Sequence, residues 1–382
     1  GVPPQSWIDD LDARGCPVIS EIELASWFIE ATVVGVTGSN GKSTVTSLLG
    51  AMAAHDPRPH FVGGNIGTPL CEVVDTPAAR EGGLVIVELS SFQLERVQRF
   101  RAEVAMILNL SPDHLDRYPD FQAYAAAKQR ICLGQMPGDH LLIHDGDSGC
   151  EKLAEGQRAE VRRFGGVQGL VRLERDRIID PVNRLDLPVD ELCLVGDHNM
   201  TNACAAALAG RLAGMSVESI VAGLRAFGGL PHRTQFVAEY GGVSWYDDSK
   251  ATNVGAAVAA VRGLARRFHR LVVIAGGKDK GGSYAPLVEV MTADARGLVL
   301  IGEASDIIAR AFADSPYPVQ RAEDMEQAVR LASLLACSGD AVVLAPACAS
   351  FDQYNSYRQR GEVFQECVRA QIDSAADGSG GA

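Results

Sequence analysis

Residues 33–52 read VVGVTGSNGKSTVTSLLGAM, an apolar run, a glycine-bearing turn and the start of a helix, in that order. This feature constrains the fold most, because a buried strand that feeds a helix through a tight glycine turn belongs to an open α/β sheet. Such a turn holds phosphate. Backbone N–H groups of Gly38, Ser39, Asn40 and Gly41, the helix start and the Lys42 ammonium would converge on phosphate oxygens, while the Ser43 or Thr44 hydroxyl reaches Mg²⁺. The spacing is G-x-x-G-K-S; the general pattern G-x-x-x-x-G-K-[ST] would want glycine where Val36 stands. A dinucleotide loop would not require a lysine followed by two hydroxyls, so the chemistry favours ATP.

At 382 residues the chain exceeds the usual single-domain size, and two cores are expected. Apolar runs at 31–37, 84–89 and 104–110 alternate with helical patterns at 42–54 and 120–132, predicting a mostly parallel sheet covered by helices. Residues 140–195 are less regular, with several short strand candidates. Helical patterns at 199–213 and 216–226 lead to FGGLPHR at 227–233, whose glycines and proline predict a hinge at which ATP closes two α/β units. The pattern then restarts, strand-like at 243–247, 271–275, 297–301 and 341–345, and helical at 253–266, 304–313, 323–336 and near 358–371. The expected class is α/β, with a P-loop ATPase-type central domain and mostly parallel sheet over 31–229, then a smaller Rossmann-like domain over 230–372. Residues 1–30 read as a connecting segment, and 373–382, rich in Gly, Ser and Ala, as a disordered tail.

The net charge is -13, with Lys and Arg scattered, which argues against a nucleic-acid or anionic-membrane partner. Any anionic substrate must then be held by local groups. No apolar run approaches the roughly 18 residues of a membrane span, and no basic-then-apolar leader opens the chain, so a cytoplasmic protein is expected. Nine cysteines, odd in number and without a C-x-x-C pair, read as reduced and mostly buried thiols.

A phosphate loop with Mg²⁺ needs further ligands, and two candidates stand at strand ends: Glu88 after LVIV, and His114 in NLSPDHLDRYPD. Glu88 could instead cap a helix and His114 fill a turn. Their joint position after consecutive strands favours the metal, because open α/β sheets place sites at the carboxyl ends of strands.

The ordered set TGSNGKST, GGNIG (63–67), VELSSFQLE (87–95), NLSPDHLDRY (109–118), AAKQRI (126–131), GDHNMTNACAA (196–206), LPHR (230–233), DDSKATN (247–253) and PACASFDQY (346–354) resembles the Mur ligase family of peptidoglycan-precursor enzymes over nearly the whole chain. The phosphate loop, HN-x-x-N and PHR are shared with folylpolyglutamate synthetases, whereas DDSKATN and PACASFDQ resemble the branch that adds D-glutamate to UDP-N-acetylmuramoyl-L-alanine. The resemblance implies ATP-dependent amide ligation through an acyl phosphate. It implies that Lys42 holds the β- and γ-phosphates, that Ser43 or Thr44, Glu88 and His114 surround Mg²⁺, and that Lys128, carbamylated in the family, shares a metal. It further places Asn65 at substrate or nucleotide, Asn199 and Asn202 at the adenine side, Arg233 at the γ-phosphate and Asp248 at the ribose. Lys250, Thr252, Lys280, Ser350 and Tyr357 are the candidate receivers of D-glutamate, lysines and hydroxyls being suited to its carboxylates.

By its own residue pattern Lys128 would be a solvated helix face, Lys280 in GGKDKGG a surface turn, and Tyr357 a packing residue. The opening GVPP resembles the end of the uridine-diphosphate-binding domain that precedes the ATPase domain in the family, so a remnant of that domain and weak hold on the uridine substrate are expected. A monomer is expected. Two other readings stand beside the D-glutamate ligase: a Mur or folylpolyglutamate-type ligase for another amino acid, and a truncated ATP-binding protein without full activity.

Overall fold

The computed structural model describes residues 6–378, apart from Pro112, Asp113, Leu115, Asp116, Val195, Lys280 and Gly282. The chain divides into two compact units, residues 1–192 with 198–227, and residues 193–197 with 228–382.

The first unit carries a sheet of β1 (Thr32–Thr37), β2 (His60–Gly64), β3 (Leu84–Glu88), β4 (Val104–Ile107), β5 (His140–His144), β6 (Glu160–Gly165), β7 (Val171–Glu174), β8 (Arg177–Asp180) and β9 (Leu185–Pro188). Its order is β2-β3-β1-β4-β5-β6-β7-β8-β9, parallel from β2 to β7 and closed by an antiparallel meander through β8 and β9. The three central strands read as continuous apolar runs because both faces of a parallel sheet are covered. All five residues of β3 and all four of β4 are buried. On one face Val33, Val85, Val87, Ala105 and Ile107 pack with Leu94, Phe100 and Ile131. Gly223 has no side chain to hold off the Met52 backbone, so the helix Val217–Ala226 lies closely on the helix Lys42–Ala53.

The second unit carries β10 (Gln235–Tyr240), β11 (Val243–Asp247), β12 (Leu271–Gly276), β13 (Ala295–Ile301), β14 (Val319–Arg321) and β15 (Ala341–Leu344), ordered β10-β11-β15-β12-β13-β14. Only the β10–β11 pair is antiparallel. Alternation along the strands splits the core in two. Val273, Leu298 and Val343 face the helices Val254–Ala265 and Ala285–Asp294, while Val272, Ile274, Val299 and Leu344 face Met325–Leu335 and the C-terminal helix. Because β15 returns between β11 and β12, strand order reverses there, and the carboxyl ends of these three strands form the crevice where such sheets bind ligands.

The last helix runs Tyr357–Gly378, so residues 373–378 of the expected tail continue it, and residues 379–382 lie outside the described residues. One expectation is corrected. Of the nine thiols only Cys132, Cys150, Cys204 and Cys348 are buried; Cys16, Cys71 and Cys337 are exposed and Cys193 and Cys367 half-buried, all of them free. Short elements at 60–64, 235–240, 285–294 and 319–321 escaped the pattern reading. Among the described residues no helix is long and apolar enough to cross a membrane.

Candidate active site

In the first unit the site is built at the carboxyl ends of β1, β3 and β4. Parallel register sets Val36 beside Glu88 and Thr37 beside Ile107, so the phosphate loop, the carboxylate and the segment after β4 leave the sheet together. Gly38 (φ 149°) and Gly41 (φ 85°) take backbone conformations that favour glycine. At Gly41 a Cβ would lie 2.5 Å from Asn202 Oδ1, and at Gly38 it would lie 3.0 Å from Leu108 Cβ. Gly41 is the N-cap of the helix Lys42–Ala53, whose first turn carries Ser43 and Thr44, both half-buried.

Two ammonium groups meet on one carbonyl. Lys42 Nζ donates to Gly38 O at 2.8 Å and Ser39 O at 3.0 Å, and Lys128 Nζ donates to the same Gly38 O at 2.8 Å. Lys128 is buried at 1% exposure, with Nζ 4.6 Å from the centre of the Tyr124 ring. The solvated helix face that its own sequence pattern suggests is therefore corrected: the helix Phe121–Gln129 turns this residue inward. Two like charges this close favour an anion among them.

Glu88 is 2% exposed. Its Oε1 accepts from Asn65 Nδ2 at 2.8 Å, and its main-chain oxygen accepts Asn65 N–H at 2.9 Å. Oε2 is buried with no hydrogen-bond partner among the described residues. An orphaned buried carboxylate oxygen costs free energy unless a cation or donor reaches it, which suits a hard metal ion. His114 takes the left-handed conformation (φ 53°), its ring 4.8 Å from Phe92 and 6.1 Å from Tyr124. Tyr124, which sequence reading passed over, touches three parts of the site, because its hydroxyl also lies 3.2 Å from Ser39 Oγ. Asn202 Nδ2 donates to Asn199 Oδ1 at 3.3 Å, so both asparagines stand at the start of the helix Asp197–Leu212, with Asn202 against the phosphate loop.

In the second unit Asp248, Lys250 and Thr252 follow β11, and Ser350 follows β15. Asp248 is 8% exposed; burial pushes its carboxyl up to about 7, Asp247 adds to this, and Thr234 and Arg233 oppose it. Arg233 itself is exposed. Lys250 Nζ sits 5.2 Å from the Tyr357 ring centre. Arg358 and then Lys250 hold the Tyr357 phenol below its ordinary value despite partial burial. Thr252 is half-buried and Ser350 buried at 2% exposure. Lys280 lies outside the described residues. The group that organises this set is Arg360, which the sequence reading missed. Wholly buried, its guanidinium donates to Ser249 Oγ at 3.0 Å, Ser249 O at 2.9 Å, Cys348 O at 3.2 Å and Ala349 O at 3.3 Å. Burial lowers its pKa to about 10, so it stays charged at neutral pH.

A P-loop turn ending β1, a buried carboxylate beside it and a Rossmann-like sheet in the second unit are the parts of a nucleotide-dependent α/β enzyme. Comparison with known proteins narrows this class. The family model of the Mur ligase middle domain matches residues 36–210, and that of the Mur ligase, glutamate ligase domain matches residues 232–348. The UDP-N-acetylmuramoylalanine--D-glutamate ligase of Nitrosococcus oceani (strain ATCC 19707) is 43% identical over 363 residues, 94% of this chain and 78% of that protein. The ligase of the same name from Acidobacterium capsulatum is 42% identical over 95% of this chain and 79% of its own length. The chain belongs to the Mur ligase family. Solved structures agree on the fold. A UDP-N-acetylmuramoyl-L-alanyl-D-glutamate--2,6-diaminopimelate ligase superposes with a TM-score of 0.68 at 17% identity, covering 94% of this chain and 80% of that one. The MurF ligase of Thermotoga maritima in complex with ADP gives 0.63 at 19% identity, covering 93% and 84%.

Proposed function

We infer that the chain is an ATP-dependent ligase that adds D-glutamate to UDP-N-acetylmuramoyl-L-alanine in peptidoglycan precursor synthesis. The observation that carries this is identity of 42–43% to D-glutamate ligases, sustained over 94–95% of the chain. The chemistry follows from the substrates. A carboxylate resists attack by an amine because oxide is a poor leaving group, so the L-alanyl carboxylate takes the γ-phosphoryl of ATP and becomes an acyl phosphate, with ADP released. The D-glutamate amine attacks the acyl carbon, the amide forms, and inorganic phosphate leaves with the former carboxylate oxygen.

The residues divide this work. Lys42 and the N–H groups from Gly38 to Thr44 neutralise and orient the phosphates, and Arg233 supports the γ-phosphoryl. Asn199 and Asn202 serve the nucleotide, and Asp248 its ribose. Lys250, Thr252, Lys280, Ser350 and Tyr357 hold D-glutamate, and Asn65 holds Glu88 in place while facing substrate. Mg²⁺ would be held by Glu88, His114 and the hydroxyl of Ser43 or Thr44, with a carbamate on Lys128 as a further anionic ligand; the orphaned Glu88 Oε2 fits this set. Bound there, the metal supplies charge neutralisation for phosphoryl transfer. We place the protein in the cytoplasm, as a monomer.

The test offers a panel of amino acids with ATP, Mg²⁺ and UDP-N-acetylmuramoyl-L-alanine while phosphate release is followed. D-glutamate is expected to drive release far faster than L-glutamate, L-lysine or diaminopimelate. Preference for another member of the panel would reassign the substrate.

A further inference from the structure

The segment after β4 contributes more than His114. Its first residues run alongside the phosphate loop and extend the β1–β4 pairing beyond both strands. Leu108 N–H donates to Thr37 O at 3.0 Å, and Ser39 N–H donates to Asn109 O at 3.0 Å. Ser111 N–H then donates to Ser39 Oγ at 2.9 Å, and that hydroxyl is 3.0 Å from Ser111 O.

Between these contacts lies a side chain with no assigned role. Asn109 Oδ1 accepts the Asn40 N–H at 2.9 Å, and Asn109 Nδ2 donates to Asn40 O at 3.1 Å. One primary amide thus pairs with both backbone groups of a single loop residue, as a neighbouring strand would. Only a side-chain amide carries a donor and an acceptor at this spacing, so neither Asp nor Ser reproduces the pair. Asn40 is exposed and sits between Gly38 and Gly41, two glycines whose conformational freedom would otherwise leave the loop unfixed.

We propose that Asn109 is a positioning residue for nucleotide: its amide clamps the backbone of Asn40 and so presets the phosphate loop. The clamp fixes the direction of the N–H groups from Gly41 onward before ATP arrives, which lowers the ordering cost of binding. It also ties the loop to the segment that carries His114. D-glutamate gains nothing from it, because its candidate receivers all belong to the other unit.

The inference rests on reading residues 38–44 as the ATP phosphate loop, and the experiment separates the two. Binding of the non-hydrolysable analogue AMP-PNP with Mg²⁺ is measured by calorimetry for the wild type, Asn109→Ala and Asn109→Asp, with thermal melting and both KM values alongside. The expected result is Asn109→Ala with a melting temperature close to wild type, analogue affinity and ATP KM worsened about tenfold, and D-glutamate KM unchanged. Asn109→Asp keeps the acceptor but loses the donor and adds a negative charge, so it should bind no better than Asn109→Ala. Wild-type affinity in Asn109→Ala would overturn the clamp, and so would equal loss of both KM values with a lowered melting temperature. A wild type that fails to bind the analogue would instead overturn the phosphate-loop reading.

Discussion

Asp248 is the residue whose ionisation the fold alters most usefully for experiment. Its folded-state pKa of about 7 stands above the ordinary 3.8, burial being the main cause. Folding therefore favours the neutral acid, and the stability this contributes is complete at about pH 4 and is lost as pH rises through about 7. In the nucleotide-free protein, Asp248→Asn should remove that dependence. Melting curves between pH 4 and 8 should show the wild type losing stability relative to the variant, by an amount on the order of a few kcal/mol at most. Parallel curves would mean that Asp248 is ionised throughout. Lys42 and Glu88 could be singled out as candidates because each sits in a short run whose local order suggests chemistry, and Asp248 because DDSKATN carries the family resemblance. Tyr124, Asn109 and Arg360 were not, because their partners Ser39, Asn40 and Ser249 lie 85, 69 and 111 residues away. Only the sheet brings these pairs together, and no window along the chain contains them.

At the scale of elements, the β1 turn and its helix are the strictest part of the design. Gly41→Ala puts a side chain on a residue with φ of 85° and sets its Cβ 2.5 Å from Asn202 Oδ1. The backbone strain alone costs about 1 kcal/mol, and Asn202 must also move. The folded protein should survive this with a small drop in melting temperature, while ATP binding by calorimetry falls below detection. Retained binding would show that the loop tolerates movement of its helix N-cap. The elements legible in sequence were those with one dominant period: β1, β3 and β4 are apolar runs buried on both faces, and β12 and β15 likewise. Some other strands lack that signal. The internal strand β6 reads EVRRFG with one fully buried residue, and the edge strand β14 reads VQR with none. Their pairing is fixed by neighbours rather than by their own pattern.

Over the whole molecule, each unit has its own sheet and its own core, and each contributes residues of a different kind. The first carries the glycine turn after β1, two buried or half-buried lysines and the buried Glu88; the second carries buried acids, hydroxyls and a lysine beside a tyrosine. In the proposed reaction the γ-phosphoryl of ATP activates a carboxylate. UDP-N-acetylmuramoyl-L-alanine labelled with oxygen-18 in both oxygens of its L-alanyl carboxylate is turned over with ATP and D-glutamate, and the products are read by mass spectrometry. The acyl-phosphate route predicts one labelled oxygen in each inorganic phosphate released, with ADP as the nucleotide product. Unlabelled phosphate, or label appearing in AMP, would contradict it.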